Sequence, residues 1–365
     1  MRQSEPSWIV SGSDGVFVGP MLASPTDLLS LPMHSVRCFV SDFIPHPWLP
    51  TGHLQTIAAG YAPTPRIPLQ TVPHRLVLSG GDITFLHEDA PFRCDSSGPI
   101  ALLVHGLTGS HQSPYLVRMV AKLVTRGWRT FRLDLRGCGA SAGLARQFGH
   151  AGRSEDVAAA VERITSWYPQ AKLAVIGFSL GGNLVLKMLG EMGATCPTQL
   201  HRAAAVSPPI DLTACINYLE RGFRSIYSLN FVNRLVREIR RRSFQDPTLS
   251  VSLQPRPKWL SEFDDRITAP LSGFRDGPEY YRLASPAPLL PSIAVSTLLV
   301  TAADDPMIPA SIFEQAHVNP AIKLEITSRG GHMGYISTTR HTPDGWWIDW
   351  RLLDWLQSDL AGSGA

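Results

Sequence analysis

The sequence predicts an α/β protein with a mostly parallel central sheet of about eight strands, helices on both faces and one helical insertion. Three observations lead there. From about His74, apolar runs of strand length alternate with amphipathic segments of helix length. Several of those runs are unbroken Val/Ile/Leu stretches, as strands covered on both faces require. Between Asp211 and Pro291 the alternation stops, and it resumes with an apolar run at Ser296.

In chain order, the predicted strands are 75–78, 83–88, 100–106, 128–135, 172–178, 202–207, 296–302 and 322–328. Helices are predicted over 113–126, 154–167, 180–192 and 346–358. The last carries Ile348, Leu352, Trp355 and Leu356 on one face, so its tryptophans read as core packing. Residues 1–41 are a weakly patterned arm rich in Ser, Pro and Gly, unless Met33 is the true start. Residues 42–73 form an N-terminal extension packed on a core made of 74–210 and 291–365, with 211–290 inserted as a lid over the sheet's C-terminal edge.

Composition narrows the function classes. The chain has 365 residues, of which 44% are hydrophobic and 17% charged, a balance that supports a sizeable core and excludes wholesale disorder. A formal net charge of +3 is too slight to make nucleic acid the main partner. The five cysteines, Cys38, Cys94, Cys138, Cys196 and Cys215, form no CxxC pair, which points to reduced thiols in a cytoplasm. No run reaches the roughly 20 apolar residues of a membrane span, and no signal peptide is evident. Walker A, GxGxxG and HExxH patterns are missing, so no nucleotide, organic cofactor or metal is expected.

The decisive motif is Gly177-Phe178-Ser179-Leu180-Gly181, between an apolar strand and an amphipathic helix. A sharp strand-to-helix turn projects the Ser179 hydroxyl, and glycines two residues either side remove Cβ atoms that would clash. A Gly-Ser turn that merely ends a strand is the plainer alternative, and the flanking strand and helix weigh against it. A serine nucleophile needs a base, and the base needs an orienting acid, following in the order Ser, acid, His. Ala303-Asp304-Asp305-Pro306 follows one late strand, and Gly330-Gly331-His332 follows the next. His332 is the expected base, with His341 its nearest rival. Asp305, biased to an extended conformation by Pro306, is favoured as the acid over Asp304, which reads as a loop cap. The amides of Leu180 and Leu107, in His105-Gly106-Leu107-Thr108-Gly109, are the expected oxyanion donors. His105, ending a buried strand, reads as a loop-packing residue.

Two charged clusters call for separate readings. Arg234, Arg237, Arg240, Arg241 and Arg242 share a helix with Phe231, Leu235 and Ile239; a solvated arginine face is preferred there over contact with an anionic lipid surface. Asp264-Asp265 beside Arg266 reads as a salt-bridged turn rather than a carboxylate pair.

Together these residues resemble the α/β-hydrolase superfamily, and further segments resemble its YheT-like branch, bacterial relatives of ABHD-type serine hydrolases. Pro47-Trp48-Leu49-Pro50-Thr51-Gly52-His53-Leu54-Gln55-Thr56 looks like that branch's N-terminal signature. Asp134-Leu135-Arg136-Gly137-Cys138-Gly139 is similar to its Asp-x-Arg-Gly turn, and Phe263-Asp264-Asp265 through Tyr280-Tyr281 to its lid. The resemblance covers about residues 42–358 and implies an α/β-hydrolase fold and a serine carboxylesterase or acylglycerol lipase without cofactor. Its expected partner is a small-molecule ester with an acyl chain. Acyl transfer to an alcohol, or a non-catalytic binding role, are the alternatives.

Overall fold

The structure, a computed structural model, describes residues 42–63, 69–91, 95–245 and 251–358. The arm 1–41, with Met33 and Cys38, and also Cys94 lie outside the described residues. The strands are β1 (Val72–Val77), β2 (Ile83–Asp89), β3 (Ile100–Val104), β4 (Arg129–Leu133), β5 (Leu173–Phe178), β6 (Leu200–Val206), β7 (Ser296–Ala302) and β8 (Ile322–Thr327). They form one sheet in the order β1-β2-β4-β3-β5-β6-β7-β8. Only β2 runs antiparallel to its neighbours, so from β4 through β8 the sheet is parallel.

The helices begin with α1 (Gly52–Tyr61), α2 (Pro114–Val124), α3 (Ser154–Trp167) and α4 (Leu180–Met192). Then come α5 (Leu212–Leu219), α6 (Ser225–Gln245), α7 (Leu260–Phe263), a π-helical turn (Asp264–Thr268), α8 (Ala269–Leu271) and α9 (Gly277–Ala284). Last are α10 (Ser311–Glu314) and α11 (Trp347–Gln357). No helix among the described residues is long and apolar enough to cross a membrane.

The two-residue period of the strands divides the core. Leu102, Val104 and Val175 pack with Val157 and Val161 of α3 and Leu184 of α4. Ala101, Leu103, Ala174 and Ile176 point the other way, onto Met119 and Leu123 of α2 and Leu352 and Leu356 of α11. α11 is also held by charge: Asp349, fully buried, takes Arg118 and Lys122 of α2. Burial would raise this carboxyl, but the two cations outweigh it and hold it below the ordinary range.

Residues 211–290 connect the neighbouring parallel strands β6 and β7 and have an apolar cluster of their own. Val232, Leu235, Val236 and Ile239 of α6 meet Phe263, Tyr280 and Tyr281, and Leu107 and Leu180 pack against that cluster. The salt-bridged turn expected at 264–266 does not form. Arg266 turns back to Glu262 at 2.7 Å because the two are one helical turn apart. Asp265 instead accepts from the Gly277 amide at 2.8 Å, and buried Asp264 accepts from Thr268 Oγ1 at 2.7 Å and Tyr281 Oη at 2.9 Å.

Burial pushes the Asp264 carboxyl up to about 7, against the pull of those two hydroxyls. The folded protein therefore keeps a proton that the unfolded chain releases between about pH 4 and 7, and stability falls as pH rises through that window. Asp264→Asn, which cannot ionise, should gain stability over the wild type on going from pH 5 to pH 8, by about 2–3 kcal/mol. Urea unfolding at the two pH values measures this; parallel pH profiles would contradict it.

Candidate active site

The loops that meet at the site all leave the carboxyl ends of parallel strands, the edge at which open α/β sheets gather ligands. β5 runs directly into Ser179, which caps α4 with φ 51° and ψ −119°. A non-glycine residue reaches that conformation only under strain, costing about 1–3 kcal/mol. The surroundings enforce it. The Ser179 amide donates to Val206 O at 2.8 Å, and its carbonyl accepts from Asn183 N at 3.1 Å. A Cβ on Gly177 would lie 2.3 Å from Gly181 O, and one on Gly181 would lie 2.4 Å from Val104 O. Both glycines thus allow strand, turn and helix to close on one another.

The Ser179 hydroxyl donates to His332 Nε2 at 2.8 Å. His332 Nδ1 donates to Asp305 Oδ2 at 2.9 Å; the carboxylate acceptor sets that tautomer. Asp305 is fully buried, and its Oδ1 accepts from the amides of Met307 at 2.8 Å and Ile308 at 3.0 Å. Asp304 is turned elsewhere, accepting from Gly331 N at 2.9 Å, and His341 is exposed. Ser179, His332 and Asp305 are therefore brought into one hydrogen-bonded line.

Leu107 and Leu180 flank Ser179, and among the described residues no acceptor meets either amide. The loop bearing Leu107 is tied at the preceding residue. Gly106 N donates to Tyr115 Oη at 2.9 Å, and Gly106 O accepts from His105 Nδ1 at 2.7 Å. His105 Nε2 accepts from Leu135 N at 3.0 Å, so the ring is neutral; its burial holds the pKa below the ordinary value. It is a packing residue.

The family pattern of the alpha/beta hydrolase fold matches residues 99–338. The chain belongs to the alpha/beta hydrolase family. It is 32% identical to the putative esterase YheT of Escherichia coli K12 over 330 residues, 88% of this chain and 94% of that one, which places it in the YheT-like branch. It is 30% identical to the mouse phospholipase ABHD3 over 70% of this chain, spanning 64% of that longer protein. The yeast monoacylglycerol lipase is 28% identical over 68% of this chain and 57% of its own length. Among solved structures, an esterase of Pyrococcus furiosus has the same fold, with a TM-score of 0.53, 18% identity and coverage of 80% of this chain and 96% of that one.

Sequence reasoning missed what α1 does in this alpha/beta hydrolase. Thr56 Oγ1 accepts from His332 N at 2.8 Å while donating to Gly52 O at 2.7 Å. Fully buried Gln55 accepts from Ile336 N at 2.7 Å and donates to Ile336 O and Leu49 O, both at 2.9 Å. A Cβ on Gly52 would lie 1.8 Å from Asp304 O, and one on Gly331, at φ 58°, would lie 2.2 Å from Gly52 O. The helix thus clamps the Asp304–Asp305 and Gly331–His332 loops together. The only available signal was the Pro-Trp-Leu-Pro-Thr-Gly-His-Leu-Gln-Thr run itself.

One cluster of potential metal ligands occurs among the described residues: His87, His111 and Asp134, with ligand atoms within 4.8 Å of one another. The two rings stack at 3.5 Å and 11°, and one nitrogen of each points at the same Asp134 carboxylate oxygen. Hydrogen bonds account for the geometry. His87 Nε2 and His111 Nδ1 donate to Asp134 at 2.9 Å, and the amides of His111 and Ala140 donate at 2.7 and 2.8 Å. Burial would raise the Asp134 carboxyl, but these donors outweigh it and keep it well below the usual carboxylate range. The cluster anchors the loop that carries Leu107.

Strain at the elbow has a measurable consequence. Ser179→Gly relieves the positive φ and Ser179→Ala does not, so the glycine variant should be more stable than the alanine variant by about 1 kcal/mol. An alanine variant of equal or greater stability in chemical denaturation would contradict a strained elbow.

Proposed function

We propose that the chain is a serine carboxylic-ester hydrolase in which Ser179 is the nucleophile, His332 the general base and acid, and Asp305 the orienting acid. The observation that carries this reading is the unbroken line from Ser179 Oγ to His332 to Asp305, at 2.8 and 2.9 Å. The open Leu107 and Leu180 amides beside it, and the kinship with esterases and lipases, support it further.

Ser179 Oγ attacks the ester carbonyl carbon as its proton passes to His332 Nε2. The carbonyl oxygen becomes an oxyanion between the Leu107 and Leu180 amides, with the N-terminus of α4 adding positive potential. Collapse breaks the ester C–O bond, and His332 returns the proton to the departing alcohol. Water then attacks the acyl-Ser179 carbonyl, gives its proton to His332, and the acid leaves as Ser179 is reprotonated. Asp305 keeps Nε2 facing Ser179 and stabilises the imidazolium.

In this reading 211–290 is the lid. Its apolar cluster receives the Leu107 and Leu180 side chains, and α4 is tied to it by Asn183 Nδ2 donating to Ala284 O at 3.3 Å. A small, partly open cavity of about 40 Å³ beside Leu107, Leu180, Phe148 and Leu235 takes the start of the acyl chain. A longer chain requires α6 to shift. The unpaired thiols of Cys138, Cys196 and Cys215 suit a reducing cytoplasm.

Hydrolysis of a short-chain p-nitrophenyl ester tests the assignment. Ser179→Ala should lose at least about 10³-fold in kcat, and Asp305→Asn about 10³–10⁴-fold with little change in KM. Asp304→Asn should cost far less. Ester hydrolysis at the wild-type rate in Ser179→Ala would rule the mechanism out.

A further inference from the structure

The arginine cluster of α6 does not form the uniform solvated face its sequence suggests. Arg242 is buried: its Nη1 donates to Gln147 O at 3.1 Å, its Nε to Glu238 at 3.1 Å, and its guanidinium lies 5.3 Å from the Phe148 ring centre. Gly137, at φ 75°, makes room for it, since a Cβ there would overlap Arg242 Nη2 at 1.7 Å. This anchor sets α6 against the Gly137–Ala142 turn.

Arg234, Arg237 and Arg241, at i, i+3 and i+7, form one stripe of the same helix. They line an open cleft of about 370 Å³ together with Thr108 and Gly109 of one loop and Gly137, Gly139 and Ala142 of another. Three arginines against one glutamate leave the lining at +2, and that glutamate, Glu238, is already engaged by Arg242. Among the described residues no carboxylate comes within 4.0 Å of Arg234 or Arg237. Like charges spaced one turn apart repel, so the stripe carries a cost that an anion would remove. The cleft also adjoins the chemistry. Thr108, whose Oγ1 accepts from Arg234 at 3.3 Å, lines both this cleft and the small cavity beside Leu107 and Leu180. It directly follows Leu107, one Cα step of about 3.8 Å away.

We propose that the cleft is a subsite for the phosphate monoester of the substrate's alcohol half. The substrate class is then an acyl ester of a phosphorylated alcohol, with the carbonyl at the Leu107 and Leu180 amides and the phosphate among Arg234, Arg237 and Arg241. Guanidinium forks suit phosphate oxygens, and a phosphate monoester carries about −1.5 to −2 at neutral pH, matching the lining. The proposal rests on the ester-hydrolase reading for the carbonyl, and on the cleft alone for the phosphate.

The test uses two monomeric substrates with the same acyl chain, hexanoyl glycerol and hexanoyl glycerol 3-phosphate, on the full-length protein. The wild type should favour the phosphorylated ester by about tenfold or more in kcat/KM, chiefly through KM. Arg237→Gln/Arg241→Gln should bring that ratio close to one, while Arg240→Gln, on the same helix outside the cleft, should leave it in place. Ser179-dependent hydrolysis of both esters at a ratio near one in the wild type would overturn the subsite and leave the hydrolase reading intact. If neither ester is cleaved, the hydrolase reading fails for these substrates, and calorimetry with glycerol 3-phosphate decides the cleft. Binding lost in the double variant upholds it, and absence of binding overturns it. Arginine-dependent binding to vesicles of phosphatidylcholine with about one-third phosphatidylglycerol, with no binding of glycerol 3-phosphate, would make the stripe a membrane contact and overturn the subsite.

Discussion

The site depends first on backbone packing at the elbow. Gly181 sits so close to Val104 O that a Cβ would lie 2.4 Å away, and Gly177 meets Gly181 O at a comparable distance. That contact brings the end of β3 against the start of α4. It sets the loop bearing Leu107 beside the turn bearing Ser179, and leaves Ser179 no relaxed conformation. The burial of β5 between β3 and β6 supplies the stability that holds such strain. Ser179 and the Leu107 and Leu180 amides are thus placed by one close approach.

His332 and Asp305 arrive by a separate route. β7 and β8 deliver the Asp305 and His332 loops to the same edge, but loops after two neighbouring strands need not sit in register. α1 supplies the missing constraint. Gly52 lies against the Asp304 carbonyl, Thr56 takes the His332 amide and Gln55 takes both backbone groups of Ile336. The segment 211–290 completes the enclosure by covering Leu107 and Leu180 with its own apolar cluster and by turning an arginine stripe toward Thr108. Rigid strand ends and a clamped histidine loop are what preorganised catalysis needs.

Much of this was legible because it is local. All eight strands occur within a few residues of their predicted bounds, since unbroken apolar runs bounded by polar turns leave few alternatives. The helices at 154–167 and 180–192 coincide with prediction for the same reason. The line Ser179–His332–Asp305 was readable from chain order and strand ends. What could not be read depends on distant partners. Thr56 is separated from His332 by 276 positions, and nothing in a threonine's neighbours announces a loop amide as its partner. The arginines of α6 look equivalent in sequence, yet one is buried beneath Gly137 while three line a cleft, because the 137–142 turn decides which side of the helix is covered. The turn at 264–266 went the same way: Arg266 took the carboxylate one turn back, and tertiary partners took both aspartates.

Labelling by a fluorophosphonate with peptide mapping tests, without any choice of substrate, whether Ser179 is an activated nucleophile. The wild type should carry one phosphonylated residue, Ser179, and labelling should slow by orders of magnitude in His332→Ala. A folded wild type that takes up no label, or label on a serine other than Ser179, would contradict an activated Ser179.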